Sequence, residues 1–420
     1  MTAHVEFRAL VQHPGFVPLW IADGVSNLGI FTFSLALQFL MIEVMGANQI
    51  EIGLVRSAQW MPFLLFGLIS GVIADRVRRK HLLVGTDIAS SVLIVLIAGM
   101  AIGGVLMVPL LTVLVFALGS VAVFNGGTHQ SFVADLLPTR LLTKGNVVLS
   151  QTYTVAQTLG PIIGGLLVRL AGAPFTMVAN AISCVLSALL LWRVPDVDSE
   201  SMPTRRSVLS DLKEGFSYVY RHPTLAPYAL MLHLWFIGNS VAGTVYVFHA
   251  ASIGLDSATI GLTLACAGVA GIFGAAVAEK TSTWLGLGIV VAAADLCTGL
   301  AWLLIAFAPS GDGALWVICA AQLVYGVGFG ATGPLSGSYR NAVTPPQLRG
   351  RMNTTIRSFN WGLMAVAAPL GGWLAYTFDD RVALGIGGAV IALSAVALAM
   401  SRFRTAVMPE SKSSSSAVPN

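Results

Sequence analysis

Residues 71–80 read Gly-Val-Ile-Ala-Asp-Arg-Val-Arg-Arg-Lys and lie between two long apolar runs. Four cations and one acid within ten residues form a connection that would be costly to place in hydrocarbon. Each flanking run has about 20 apolar residues or more, the length that a helix needs to cross a bilayer. The segment therefore predicts a short charged hinge between two membrane-spanning helices.

The composition of the whole chain agrees with this interpretation. Of its 420 residues, 56% are hydrophobic and 10% are charged, and the mean hydropathy is +0.81. Soluble domains carry about 25% charged residues. Backbone groups in hydrocarbon must bond to one another, so apolar runs this long predict helices; barrel strands would be shorter and would alternate.

The apolar runs predict twelve transmembrane helices. The predicted spans are 16–42, 50–73, 81–104, 109–133, 146–170, 174–193, 224–249, 258–278, 284–307, 314–339, 352–377 and 382–403. The polar stretch between the sixth and seventh spans suggests four parts. These are an N-terminal six-helix bundle over 1–193, a cytoplasmic linker with an amphipathic helix (211–221) over 194–223, a C-terminal six-helix bundle over 224–404, and a disordered cytoplasmic tail over 405–420.

The positions of the cations predict the orientation. Of the 23 lysines and arginines, 19 fall on one side of the predicted spans, only Arg169 and Arg381 fall on the other, and Arg56 and Arg357 lie within spans. Loops rich in Lys and Arg stay in the cytoplasm. We therefore expect a multi-pass protein of the plasma (inner) membrane with both termini in the cytoplasm. The isoelectric point near 9.0 reflects this topology, so no nucleic-acid partner is expected.

The two halves of the chain also repeat. The segment 145–167 matches 350–374 in its Asn, Pro and Gly-Gly positions, with offsets close to 207 residues. Two parallel repeats of six helices, with a substrate site where they meet, are a known arrangement in secondary transporters. The sequence thus predicts an all-α polytopic membrane protein whose twelve transmembrane helices form two pseudo-symmetric six-helix bundles.

Several segments resemble one transporter family. The 71–80 hinge resembles the loop signature of the major facilitator superfamily, and this resemblance extends over nearly the whole chain. The segments SFVADLLPTRLLTKGN (131–146), GPIIGGLL (160–167) and DLKEGFSYVYRHPTL (211–225) are similar to the exporters that include the enterobactin exporter and macrolide efflux proteins. Ala156 departs from the antiporter pattern, which usually has Gly at that position, and Arg78 stands where the loop signature commonly has Gly.

The resemblance implies a cytoplasmic gate in the hinge region. Its members are Gly71, Asp75, Arg76, Arg79 and Asp135. Asp75 would hold the gate shut with Arg79 and Asp135 as its partners, and the contacts would break on opening. The alternative is a solvated charge cluster that only sets topology.

Two polar groups within spans are candidates for proton coupling, Asp23 and His233. A carboxylate inside a span is costly and is by default a functional candidate, and burial favours its protonation. Asp23 could instead be hydrated near the interface, and His233 could be a satisfied packing residue.

Polar residues on single helix faces predict a substrate cavity. The candidates are Asn27, Ser34, Gln38, Gln151, Thr154, Ser240, Thr244, Gln322, Tyr325, Thr332, Ser336 and Arg357. Any one Ser or Thr among them could instead bond to its own helix or a neighbouring one. Another set, in spans 5 and 11, predicts helix bending and close packing: Gly160, Pro161, Gly164, Gly165, Pro369, Gly371 and Gly372.

No nucleotide-binding loop, zinc motif or nucleophile elbow is present in the sequence, so we expect no enzyme activity, cofactor or metal site. The function expected is a proton-coupled secondary active exporter of a small amphipathic molecule such as a siderophore or a drug, acting as a monomer. Few fixed charges in the predicted cavity favour neutral cargo. Two alternatives stay open: an importer of a small metabolite on the same fold, and a non-transporting membrane sensor.

Overall fold

The computed structural model describes residues 2–74, 77–196 and 208–408, and these residues form fourteen α-helices. The helices are α1 (Thr2–Val11), α2 (Phe16–Phe39), α3 (Gln49–Ala74), α4 (Arg79–Ile102), α5 (Val108–Leu136), α6 (Thr139–Ala171), α7 (Ala173–Trp192), α8 (Val208–Arg221), α9 (Leu225–Ser252), α10 (Ser257–Leu285), α11 (Leu287–Ala306), α12 (Ala314–Val343), α13 (Arg349–Thr377) and α14 (Asp380–Met400). A π-helical segment, Leu40–Val44, extends α2, and short 3-10 turns precede α13 and follow α14.

Twelve of these helices have 20 residues or more, which confirms the predicted number of spans within the described part of the chain. Ten are both long and apolar enough to cross a membrane. The other two long helices, α3 and α13, have 26 and 29 residues and pack against each other. The short helix α8 lies between the two halves, where the sequence predicts an amphipathic helix.

The twelve long helices form two bundles, α2–α7 and α9–α14, as the repeat predicts. Within the first bundle α2 packs on α6 and α7, and α3 packs on α5. In the second bundle the corresponding pairs are α9 with α13 and α14, and α10 with α12. The bundles meet chiefly along two helix pairs, α3 with α13 and α6 with α10. This arrangement leaves the space between the two contact lines free for a cavity.

Two ends of the molecule can be distinguished by charge. The cationic end is the one where α3 ends and α4 begins at Arg79; the distal end is the opposite one, where α2 ends and α3 begins at Gln49. Two helices run farther toward the cationic end than the sequence predicted. Helix α6 begins at Thr139 rather than 146, and α10 continues to Leu285, so Lys280 lies in a helix and over the ring of Trp284. Hydropathy marks where the apolar layer ends, and a helix can continue beyond it.

Four predicted features fall wholly or partly outside the described residues, among them the linker over 194–223, which is not described over 197–207. Asp75 and Arg76 of the hinge are two of them, and the tail over 405–420 is described only to residue 408. Near the start of that tail Ala406 is buried, and just before it Phe403 packs on the rings of Tyr228 and Tyr339. The packed part of the second bundle therefore continues slightly beyond the predicted boundary at 404.

Glycines set the spacing between the bundles at the distal end. A Cβ on Gly165 of α6 would lie 2.2 Å from the backbone oxygen of Ser257 at the start of α10. A Cβ on Gly372 of α13 would lie 2.2 Å from the backbone oxygen of Gln49 at the start of α3. Real Cβ atoms do not approach backbone so closely, so only glycine permits these contacts.

Each of these glycines follows another glycine in the chain, and the preceding glycine packs within its own bundle. A Cβ on Gly164 would lie 3.0 Å from Thr32 Cα in α2, and a Cβ on Gly371 would lie 2.5 Å from the Val241 oxygen in α9. Gly160 has a similar role, because its Cβ would lie 2.4 Å from Phe31 Cβ. Pro161 and Pro369 lie inside α6 and α13 beside these glycines.

We predict that Gly165→Val prevents the bundles from closing at the distal end. In a cysteine-free background carrying Arg169→Cys and Asp256→Cys, a short bis-methanethiosulfonate reagent should bridge the two thiols, which replace the longer side chains of an ion pair. Gly165→Val should strongly reduce the yield because the added methyl groups meet the backbone of α10. The matched control is Gly385→Val in α14, where nothing lies within 4 Å of a Cβ. Equal yields in both variants would contradict the prediction.

Candidate substrate cavity

A cavity of about 1490 Å³ lies between the two bundles. Its walls come from both of them, including α2, α3 and α6 of the first and α9, α10, α12 and α13 of the second. At the cationic end the lining includes Ser150 and Gly350, both exposed, and toward the distal end it includes Gln38 and Tyr246. The cavity thus reaches the surface at the cationic end, while close helix contacts separate it from the distal surface.

Most of the cavity residues predicted from the sequence line this space. They are Ser34, Gln38, Gln151, Thr154, Gln322, Tyr325, Thr332, Ser336 and Arg357, together with Pro161 from the helix-bending set. Their polar groups give one continuous path across both bundles.

Three predicted cavity residues do not line it. Ser240 and Thr244 are fully buried, and their hydroxyls donate to the carbonyl oxygens of Met364 (3.0 Å) and Ser240 (2.7 Å). The Asn27 amide donates to the carbonyl oxygen of Asp23 at 2.8 Å, one turn earlier in α2. Each side chain is satisfied by a backbone carbonyl, which is the competing role open to such residues in a membrane helix.

Aromatic side chains form much of the distal wall, and of these the sequence predicted only Tyr325 as a cavity residue. The rings of Trp302 and Tyr325 meet edge-on with centroids 5.5 Å apart, and Tyr325 stacks on Phe329 at 5.8 Å. The Asn239 side-chain oxygen accepts hydrogen bonds from Trp302 Nε1 (3.2 Å) and the Tyr325 hydroxyl (3.0 Å). In a sequence Trp302 and Phe329 look like ordinary apolar packing, but with Tyr325 they form a rigid surface suited to an aromatic or apolar ligand.

Charged residues of the cavity are mostly cationic. Arg56, Arg340 and Arg357 line it, and the carboxylate is that of Asp295, a buried residue that accepts a hydrogen bond from Thr332 at 3.1 Å. Arg340 lies over the ring of Tyr228, and Arg357 lies over that of Trp361. In the part of the chain that the structure describes, no group of three His, Cys, Asp or Glu side chains could hold a metal ion.

Asp23 lies inside the first bundle rather than in the cavity wall. Its carboxylate is 3.2 Å from His129 Nε2 of α5, although the two groups are not aligned for a hydrogen bond. The nearby carboxylate of Asp87 accepts a hydrogen bond from Asn125 at 3.1 Å and has a second oxygen without a hydrogen-bond partner. Two carboxylates and a histidine therefore share the interior between α2, α4 and α5, a grouping that could hold a proton.

His233 is also buried outside the cavity wall. Its Nε2 lies 2.6 Å from the Tyr220 hydroxyl of α8, and its Nδ1 lies 2.6 Å from the Asn360 side-chain oxygen of α13. A neutral imidazole that donates from Nδ1 and accepts at Nε2 satisfies both partners. His233 thus ties α8 to the second bundle through Asn360, which itself lines the cavity.

The described members of the predicted gate lie close together. Arg79, at the start of α4, forms an ion pair with Asp135 near the end of α5. This pair joins two helices of the first bundle at the cationic end. Asp75 and Arg76 fall outside the described residues, and Gly71 lies near the end of α3.

Polar contacts join the two bundles at the distal end. Arg169 of α6 pairs with Asp256 before α10 at 3.2 Å, and Gln49 of α3 donates to Asp380 of α14 at 3.1 Å. The Ser257 hydroxyl donates to the Gly165 carbonyl oxygen at 3.0 Å. These contacts fasten the distal closure that the glycines permit.

Two of the relatives with assigned functions are exporters. The multidrug efflux pump Tap of Mycolicibacterium fortuitum is 25% identical over 376 residues, covering 86% of this chain and 87% of that protein. The enterobactin exporter EntS of Escherichia coli O1:K1 is 23% identical over 387 residues, covering 88% and 87%.

Solved structures share the fold at low sequence identity. The nucleoside transporter NupG matches with a TM-score of 0.72 at 12% identity, covering 92% of this chain and 97% of that one. A bacterial homologue of the iron transporter ferroportin, in an inward-facing state, matches with a TM-score of 0.70 at 17% identity, covering 92% and 98%.

Two six-helix bundles around one cavity form the major facilitator fold, which these solved structures share. Residues 7–420 match the model of a transmembrane secretion effector family of this superfamily (MFS_3), so the chain belongs to that family.

We predict that Asp256 stabilises the start of α10 in two separable ways. Its side chain caps α10 by accepting from Thr259 N at 2.8 Å, and this backbone hydrogen bond, with the Arg169 charge, lowers the pKa of the carboxyl group. Loss of the cap in Asp256→Ala should cost about 1 kcal/mol of stability at pH 7. Asp256→Asn keeps a capping oxygen and should lose less, because an exposed ion pair contributes about 0–1 kcal/mol.

The pH dependence distinguishes the two contributions. The folded-state pKa is lowered, so the stability from the charged form is present above the unfolded pKa, about 3.8, and is lost as pH falls through the folded value. Thermal unfolding of the purified protein should show a gap between wild type and Asp256→Asn at pH 7 that closes in acid. A gap independent of pH would contradict a role for the charge.

Proposed function

We propose that the protein is a secondary active exporter that carries a small amphipathic molecule by alternating access. The observation that carries this proposal is the cavity, which both bundles line, which reaches the surface at one end and which is sealed by glycine contacts at the other. Rocking of the bundles would break the distal contacts and close the cationic end. No nucleotide-binding motif is present in the sequence, so the energy would come from an ion gradient.

The cationic end would face the cytoplasm. Positively charged loops favour that side, and the orientation places both termini there, in the inner membrane. The conformation described is then open to the cytoplasm, ready to load an export substrate. We further propose that residues 1–193 and 224–404 act as the two moving bodies, that 194–223 joins them, and that one chain suffices because the cavity lies within it.

The relatives support export as the direction. Tap is a multidrug efflux pump and EntS exports enterobactin. The aromatic wall around Tyr325 and Trp302 fits a substrate with an aromatic or apolar body. A siderophore-like or drug-like molecule satisfies both considerations.

Proton coupling would use Asp23. Its carboxylate lies 3.2 Å from His129 Nε2 of α5, so movement of α2 relative to α5 would change the surroundings of the carboxylate. His233, the other candidate, is already satisfied in its neutral form, so we assign it a positioning role. The gate would involve Asp75 and Arg76. The Arg79–Asp135 pair is formed while the cationic end is open, so it would hold α4 and α5 together within the first bundle rather than break on opening.

Transport assays test this function. In everted membrane vesicles energised by respiration, the protein should concentrate fluorescent efflux substrates inside, and a protonophore should abolish the accumulation. Asp23→Asn and Asp75→Asn should each reduce it at least about tenfold, the effect expected when a charge-assisted contact that is essential to the cycle is removed. Asp312→Asn, at an exposed position in the loop before α12, is the matched control and should retain activity.

Other outcomes point to the alternatives. Accumulation in right-side-out but not in everted vesicles would indicate an importer. Absence of movement in both preparations, with the protein inserted and folded, for dyes and catecholate siderophores alike, would contradict transport and favour a sensor. Transport that resists a protonophore would contradict proton coupling but not the transport function.

A further inference from the structure

Arg56 is a cation in the middle of the cavity wall. It lies in α3, two turns from the distal end of that helix, within a span of the first bundle. Its Nε is buried and has no hydrogen-bond partner, and of the carboxylates that the structure describes none lies within 4.0 Å of the guanidinium. An unpaired cation away from bulk water is costly, so a residue of this kind marks a functional site.

The Arg56 side chain reaches across to the second bundle. A Cβ built on Gly243 of α9 would lie 3.6 Å from Arg56 Nη2, and no other atom would lie within 4 Å of it. Tyr325 of α12 is within electrostatic range of the guanidinium. The cation therefore faces open space beside the aromatic wall and at the junction between the bundles.

The other charges of the cavity do not neutralise it. Arg340 and Arg357 are also cationic, and each lies over an aromatic ring near the cationic end. Asp295 is buried and bonded to Thr332, and Arg56 makes no ion pair with it. Three arginines against one carboxylate give the cavity a positive potential that attracts anions from the cytoplasmic side.

We propose that Arg56 binds the anionic group of an aromatic substrate. The planar guanidinium would hold a carboxylate or sulfonate by two parallel hydrogen bonds, and the rings of Tyr325 and Trp302 would pack on the apolar body. This inference rests on the proposed transport function and narrows its substrate class to aromatic anions, rather than the neutral cargo that the sequence favoured. An anion bound at Arg56 would contact both bundles, so binding of substrate would depend on the relative position of the bundles.

A thiol beside Arg56 reports the local charge without knowledge of the natural substrate. In a cysteine-free background, Gly243→Cys places a thiol in contact with Arg56, and purified protein in nanodiscs is reacted with the anionic sulfonatoethyl or the cationic trimethylammonioethyl methanethiosulfonate. The anionic reagent should be favoured over the cationic one, relative to a free thiol. Arg56→Gln should reduce this preference about tenfold, because one full charge at contact distance is removed, and Arg56→Lys should retain it.

The control thiol is Gly333→Cys, which also lines the cavity and has nothing within 4 Å of its Cβ. The preference of this control thiol for the anionic over the cationic reagent should not change with Arg56→Gln. Reaction without charge preference at Gly243→Cys, or an equal loss at both thiols, would overturn the proposal. Neither result would bear on transport, which the vesicle assay tests separately.

Protection by a matched pair of ligands tests recognition directly. The aromatic anion 2-naphthoate should slow modification of the Gly243→Cys thiol by the uncharged reagent methyl methanethiosulfonate. The neutral analogue 2-naphthamide should protect the thiol at least about tenfold less potently, because it lacks the charge-assisted pair of hydrogen bonds. Arg56→Gln should remove this difference while Arg56→Lys keeps part of it. Equal potency of acid and amide in the protein with Arg56 intact, or no protection by either, would overturn an aromatic anion site.

Discussion

Close approach of backbones between the bundles at the distal end is the constraint on which the rest of the structure depends. Helices α6 and α10, and α3 and α13, come together there because Gly165 and Gly372 lack a Cβ. Gly261 of α10 and Gly53 of α3 have the same role, since a Cβ on either would meet the backbone of the facing helix. With these helices in contact at one end, the bundles diverge toward the other end and leave the cavity between them. The ion pair and hydrogen bonds at the closure add modest energy to a geometry that the glycines make possible.

The two Gly-Gly pairs also explain why the repeat retains both residues. In each pair the first glycine packs against a helix of its own bundle, and the second packs against the other bundle. One residue therefore fixes the helix within its own bundle, and its neighbour forms the contact that would break in the proposed alternating-access cycle. Because α6 and α13 each carry such a Gly-Gly pair, the two bundles are in contact on both sides of the cavity.

The sequence predicted the helices and the bundles well because an apolar layer about 30 Å thick leaves few alternatives. It also predicted Gln322 and Tyr325 in the cavity, since polar groups on one face need a wet surface. It did not distinguish Ser240 and Thr244 from these, because a hydroxyl can bond to a carbonyl of its own or a neighbouring helix and the pattern is the same. The sequence did not predict the role proposed for Arg56 or the aromatic wall around Asn239. Both depend on contacts between side chains of α3, α9 and α12, which are far apart in the sequence.

The linker helix α8 has a mechanical consequence. It lies against α9 and α13, and its contacts to Val343, His233 and Arg351 all belong to the second bundle. The helix therefore belongs with the second bundle, although it precedes that bundle in the chain. In the proposed cycle α8 would travel together with α9 and α13, so the side chains that join it to them would keep their partners in both states.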